Sequence, residues 1–285
     1  MKYSFMTFST PELTLDENLA LAKEYGYDGI EPWINELEAY RRDGGDLGDL
    51  RKRIEDAGLE VVSAIGFPQW IVDDDSDRQA GLEQARHDMG LVRSIGGSRI
   101  AAPPVGARDA VIELDAVAER FAALVEVGRR EGVEPQLELW GFSKTLSRLS
   151  ELLYVAAESA ATGFGVLLDV YHLYKGGSGF NGLSLVSGEA MHVFHVNDYP
   201  STPPRSTIRD ADRVYPGDGT APLGDIFRTL SRTGFDGHLS LELFNPTYWS
   251  RDAETVCREG LEKIESALAS AADDVTDRGA GTSHQ

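Results

Sequence analysis

Short apolar runs bounded by glycine or proline alternate with segments of helical period along most of the chain. Tyr3 to Phe8 predicts the first strand, and Asp16 to Tyr25 the first helix, opened by Thr14 or Asp16 as a cap. Tyr27 to Pro32 is the second strand, with Gly26 closing the helix before it. A second helix follows Gly48 and ends at Ala57-Gly58; Glu60 to Ile65 is the third strand and Arg78 to Ser94 the third helix. Arg99 to Ala102 gives the fourth strand, cut off by Pro103-Pro104. In the second half, Leu114 to Arg130 places Val117, Phe121, Leu124 and Val125 at helical spacing. Strands five to eight fall at Pro135 to Trp140, Gly165 to Asp169, Ala190 to Asn197 and Gly237 to Leu243. Helices over Thr145 to Ala161, Leu223 to Ser231 and Ala253 to Ala269 lie between and after them. Two connections break this beat. Leu173 to Glu189 is glycine-rich, with at most a short helix at Leu183 to Val186, and Tyr199 to Gly219 has no periodicity. Loops of that length in a compact domain are usually functional.

Eight strand-helix units in alternation predict an α/β fold, a single closed parallel (β/α)8 barrel with outer helices. A length of 285 residues suits one such barrel. An open doubly wound sheet would want a glycine-rich phosphate turn after the first strand, and Phe8-Ser9-Thr10-Pro11 is not one. Residues 1–270 are assigned to the barrel, and the small, polar and charged residues 271–285 to a disordered tail.

The formal charge of −20 disfavours nucleic acid as a partner, since phosphate contacts need a basic face. Acid is spread along the chain, and the lysines are only Lys2, Lys23, Lys52, Lys144, Lys175 and Lys263. This composition suits a surface adapted to high salt, where screening makes self-repulsion tolerable. No apolar run reaches the ~18 residues of a membrane span. One cysteine, Cys257, and an N-terminus without the plan of a signal peptide point to the cytoplasm.

Candidate chemistry concentrates at the ends of strands five to eight. Gly165-Val-Leu-Leu-Asp-Val-Tyr-His172 is an apolar run ending in Asp169, with His172 three residues on. Glu138 in Gln136-Leu-Glu-Leu-Trp140, His195 in Phe194-His-Val-Asn-Asp198 and Glu242 in Ser240-Leu-Glu-Leu-Phe244 occupy equivalent places. Alternation would turn all four towards the barrel axis. Three carboxylates converging there would repel and raise one another's pKa, which a divalent metal relieves. One imidazole with three carboxylates is oxygen-rich, suiting Mn²⁺ or Mg²⁺ first and Co²⁺ or Zn²⁺ second. Trp33, Phe67, Trp70 and Trp140 follow strands two, three and five, where aromatics suit a sugar-binding wall or simply close the barrel top. Glu31 is read either as an inner polar residue near the site or as a buried partner of an arginine. His192, three residues before His195, falls on the opposite face as a structural residue.

With these residues in this order the chain resembles the xylose isomerase-like barrels, which include sugar isomerases, ketose 3-epimerases, hydroxypyruvate isomerases and inosose dehydratases. The resemblance runs from the first strand to about Ala269 and includes Gly29-Ile-Glu31, the run ending at Asp198, and Pro216-Gly-Asp-Gly219. It implies that Glu138, Asp169, His195 and Glu242 hold the metal and that His172 touches a substrate oxygen. Two features depart from the ketose 3-epimerase pattern. Lys144 stands where those members carry a second acid, and the nearest arginine after the strand-seven histidine is Arg205. Both are carried as substrate-binding candidates with Trp33, Phe67 and Trp140.

The expected activity is a metal-dependent sugar or polyol isomerase or epimerase, with Glu138 and Glu242 exchanging a proton through an enediolate. A dehydratase of an inosose or dehydroshikimate type begins with the same proton abstraction and stands as the first rival. A non-catalytic sugar-binding barrel is the second. An apurinic endonuclease is disfavoured by the charge and by too few histidines for a multi-metal cluster. The partner is a small sugar or polyol; the family allows a homo-oligomer.

Overall fold

A computed structural model describes residues 1–280, with side chains up to residue 272. Eight parallel strands carry the fold: β1 Lys2–Met6, β2 Gly29–Glu31, β3 Glu60–Val61, β4 Arg99–Ala102, β5 Glu134–Glu138, β6 Gly165–Asp169, β7 Val193–Val196 and β8 His238–Leu241. The helices that matter here are α1 Leu15–Tyr25, α2 Ile34–Arg42, α3 Leu47–Ala57, α4 Asp75–Ser94, α5 Leu114–Glu131, α6 Leu149–Glu158 and α7 Val170–Gly176. They continue with α8 Leu223–Arg232, α9 Pro246–Trp249 and α10 Ala253–Ala280. The first helix shows how local sequence sets boundaries. Thr14 and Glu17 form a reciprocal capping box, and Gly26 ends the helix at φ 86°, a left-handed conformation suited to glycine.

The sheet order is β3-β2-β1-β8-β7-β6-β5-β4, the TIM-barrel arrangement of eight parallel strands. It is a strongly curled open sheet, however, and not the closed ladder expected. Between the β3 and β4 edges no ladder forms; one hydrogen bond, from Ala101 N to Ala64 O at 2.9 Å, crosses the seam. The physical reason lies in β3, which is two residues long. Its continuation spends its backbone groups on the β2 side, with Val62 N bonded to Ile30 O and Ile65 N to Pro32 O.

Strands β6, β7 and β8 are buried on both faces, as continuous apolar strands require. Their outward residues, among them Leu168, Phe194, Leu239 and Leu241, join the main core beneath the helices. Inward lies a second, smaller cluster of Met6, Val62, Ile65, Ala101, Leu167 and Val193, with Phe8, Trp33 and Phe244 packed against it. Leu167 and Val193 are two residues before Asp169 and His195, so alternation puts this apolar floor under those side chains.

Several elements differ from the sequence reading. The loop after β2 holds α2, whose buried Ile34 and Leu37 sit one helical turn apart. Asp169 caps α7 directly, so a helix starts where a glycine-rich loop was expected. Helix α10 runs on to Ala280, past the expected start of an unstructured tail at residue 271, through an alanine-rich stretch that continues the helix. Residues 281–285 of that tail lie outside the described residues. Among the described residues no helix is long and apolar enough to cross a membrane.

Candidate active site

The site forms where the carboxyl ends of β5 to β8 converge. Register aligns Asp169 of β6 with His195 of β7, and His195 with Ser240 of β8; Glu242 follows β8 on the same face as Ser240. Asp169, His195 and Glu242 are buried, and one ligand atom from each lies within 4.8 Å of the others. Glu138 closes β5 and is 5% exposed. Among the described residues it stands outside that triplet and accepts a hydrogen bond from Trp140 Nε1 at 3.1 Å.

Each ligand side chain is held. Asp169 accepts from His172 N as the cap of α7 and from Asn197 Nδ2 at 2.7 Å, while Asn197 Oδ1 accepts from Tyr171 N at 3.0 Å. His195 Nε2 lies 3.2 and 3.3 Å from the two Glu31 oxygens. Its Nδ1 faces Glu242 Oε2 at 3.3 Å with no aligned hydrogen bond. Of the two readings of Glu31, the structure shows an inner residue beside the site; its partners are His195 and Ser240.

Arg213 was not anticipated, and it organises the polar side. Its guanidinium is buried between the rings of Tyr171 and Phe244, 4.5 and 4.9 Å from their centroids. Nη1 donates to Asp169 Oδ2 at 3.1 Å and to Glu242 Oε2; Nη2 donates to Asp210 Oδ1 at 2.6 Å and lies 3.2 Å from His172 Nε2. The loop that carries it is pinned. Asp198 and Val214 pair as an antiparallel bridge, and the Asp198 carboxylate accepts from the amides of Tyr199, Gly217 and Ala221. Lys175 Nζ donates to the carbonyls of Arg205, Ser206 and Ile208.

The substrate-binding candidates divide. Trp33 stacks on Phe8 at 4.1 Å and meets Phe67 edge-on at 5.0 Å; Phe67 lies 6.2 Å from Trp140, which lies 5.3 Å from Phe142. These rings make an aromatic arc ending on His172, 5.5 Å from Phe142. Trp70 is fully buried beneath it, its Nε1 bonded to Pro103 O. Arg205 is exposed and reaches Lys175 O, outside the site, because the pinned loop turns it outward and brings Arg213 back instead. Lys144 is exposed too; its amide bonds Arg108 O, and among the described residues its side chain has no hydrogen bond or ion pair. His192 is paired with Glu134 at 3.1 Å, away from the triplet.

Electrostatics separates the groups. Burial, with Glu242 and Asp169 adding, raises Glu138 to about 8 against the pull of His195. Burial also raises Asp169, although Arg213 and His172 oppose it. Burial alone would raise Glu242, but His195 and Arg213 outweigh it and bring it to about 2. Burial and then Arg213 push His172 down to about 4, so its ring is neutral at pH 7. Burial would lower His195, yet Glu242 and Glu31 raise it well above the usual imidazole range.

This donor set fits a divalent cation. Glu31, Glu138, Asp169, Asp210 and Glu242 surround one guanidinium, and the buried His195 Nδ1 points at carboxylate oxygen without a hydrogen bond. A cation held by Asp169, His195 and Glu242 would compensate the surplus negative charge.

A family model described as xylose isomerase-like TIM barrel matches residues 19–267. The inosose isomerase of Bacillus velezensis is 24% identical over 275 residues, covering 94% of this chain and 98% of its own. The 3-dehydroshikimate dehydratase of Pseudomonas aeruginosa is 23% identical over 254 residues, 88% of this chain and 39% of the relative. Among solved structures, the IOLI protein with a bound zinc atom superposes with a TM-score of 0.88 at 22% identity, over 95% of this chain and 99% of that one.

Proposed function

The chain belongs to the xylose isomerase-like TIM barrel family, and from that premise we propose that it is a divalent-metal-dependent isomerase or epimerase of a keto sugar or keto polyol. The observation that carries this reading is the buried triplet Asp169, His195 and Glu242, set beside an aromatic arc at the mouth of the curled sheet. Glu138 completes the ligand set proposed for the cation. Mn²⁺ or Mg²⁺ suits the oxygen-rich donors, and the zinc of the similar IOLI structure supports Zn²⁺ or Co²⁺ as alternates. When bound, the cation supplies Lewis-acid charge that stabilises a developing oxyanion.

The chain's own residues do the rest. Glu138 and Glu242 come from strands three apart in the sheet and exchange the proton on the carbon next to the carbonyl, one taking it and the other returning it. His172, neutral and fixed by Gly141 N at Nδ1 and Arg213 at Nε2, orients a substrate oxygen. Trp33, Phe67 and Trp140 offer the C–H face of the substrate an apolar wall and exclude water from the reacting carbon. Arg213 steadies two of the ligand carboxylates and can meet a hydroxyl beside His172.

The similarity to a 3-dehydroshikimate dehydratase favours a second reading, in which the same abstracted proton is followed by loss of water. Product analysis separates them. Purified protein loaded with Mn²⁺ is incubated with inososes, ketoses and dehydroshikimate, and products are followed by NMR. The proposal expects an isomer or epimer of unchanged mass, abolished by a chelator. A product lighter by one water supports the dehydratase, and no turnover with any of them contradicts both.

A further inference from the structure

We propose that Glu31 is a positioning residue for the metal centre: it fixes the His195 ring so that Nδ1, and not Nε2, faces Asp169 and Glu242. This rests on the metal-dependent reading above. Glu31 ends β2, across the curled sheet from β7, with β1 and β8 between them. It is wholly buried, and among the described residues no lysine or arginine pairs with it. A buried carboxylate costs several kcal/mol without compensation, so its two partners define its place.

One partner is His195 Nε2, at 3.2 and 3.3 Å from the two carboxylate oxygens. The other is Ser240, whose hydroxyl donates to Glu31 Oε1 and which is the register partner of His195 on β8. Ser240 thus holds the carboxylate, and the carboxylate holds the ring. An imidazole that donates its Nε2 proton leaves Nδ1 as its lone-pair nitrogen, and that nitrogen is the one aimed at Glu242. The Gly29-Ile-Glu31 motif thereby gains a role at the metal centre, though it sits five strands away from β5 in the sheet order.

The test uses Glu31→Gln and Glu31→Leu in the full chain. Zn²⁺ and Mn²⁺ dissociation constants are measured by chelator competition, and the ¹⁵N spectrum of the His195 ring is recorded in the Zn²⁺-loaded protein. Glu31→Leu should bind either cation about 10- to 100-fold more weakly than the parent. Glu31→Gln keeps an acceptor for Nε2–H and should recover most of the loss. The parent ring should carry its proton on Nε2 and metal on Nδ1, and the Leu variant should lose that unique assignment. General loosening of the barrel would lower stability without changing which nitrogen binds, so the spectrum separates positioning from packing. Parental affinity with the parental nitrogen assignment in both variants would overturn the role of Glu31 and leave the metal site standing. Absence of cation binding by the parent overturns the metal reading, and the proposal with it.

Discussion

Removing Arg213 should cost more than removing any other single side chain of the site. Its side chain is 1% exposed, and its partners Asp169 and Glu242 are 2% and 7% exposed. Arg213→Leu keeps the apolar contact with Tyr171 and Phe244 but leaves two buried carboxylates without their cation. Breaking a buried pair in this way typically costs about 3–5 kcal/mol. Asp210 adds little, because its side chain is 38% exposed and solvent screens it. For a domain of this size each kcal/mol moves Tm by about 2–4 °C, so the variant should melt roughly 6–20 °C below the parent at pH 7. Arg213→Lys keeps the charge but cannot serve both carboxylates and Asp210 at once, and should fall between the two. The loss should shrink in saturating Mn²⁺, because a cation on Asp169 and Glu242 supplies the missing charge. The assay is a thermal melt of the three proteins with and without Mn²⁺. An Arg213→Leu protein within about 2 °C of the parent without metal would refute this account of the site's electrostatics.

Asp88 on α4 is fully buried, with Oδ1 accepting from Gln84 and Oδ2 unpartnered, and burial pushes its carboxyl from 3.8 up to about 6. The folded state therefore binds this proton more tightly than the unfolded chain, so its share of stability falls as pH rises from about 4 to 6, by up to about 3 kcal/mol. Urea unfolding of Asp88→Asn should lack that slope, and a parent-to-variant difference equal at pH 4.5 and 7 would contradict it. The charge of −20 predicts a Tm that climbs between millimolar and molar salt as carboxylates are screened; a flat or falling Tm would leave the composition unexplained. Glu138→Gln and Glu242→Gln, assayed at saturating metal, should each lose about 10²-fold or more in turnover with less change in substrate affinity.

The strand ends were legible because burial writes itself into sequence. A charged residue closing an apolar run, as in Leu168-Asp169, can only face a site, and four such runs in order identified the architecture and its centre. Closure was not legible, because the seam depends on how β3, only Glu60–Val61, divides its hydrogen bonds between neighbours. Arg213 was missed for a related reason. The long loop was marked as functional, but nothing in its local pattern tells that Asp198 will pair with Val214 and return residue 213 to the end of β7. Arg205, nearer in sequence, was the natural choice and faces solvent. Glu31 was ambiguous because a buried carboxylate needs a partner, and only the fold decides between an arginine and His195.

The central claim is that this chain uses bound metal and two glutamates to move a proton next to a carbonyl. Exchange of that proton with solvent tests it most directly, since exchange can occur even when the complete reaction does not. The Mn²⁺-loaded parent is incubated in D₂O with inososes and ketoses, and each substrate is followed by NMR and mass spectrometry. The account predicts deuterium at the carbon adjacent to the carbonyl in at least one of them, lost on chelation and in both Glu138→Gln and Glu242→Gln. A parent that binds Mn²⁺ yet exchanges no proton on any of these substrates would contradict it.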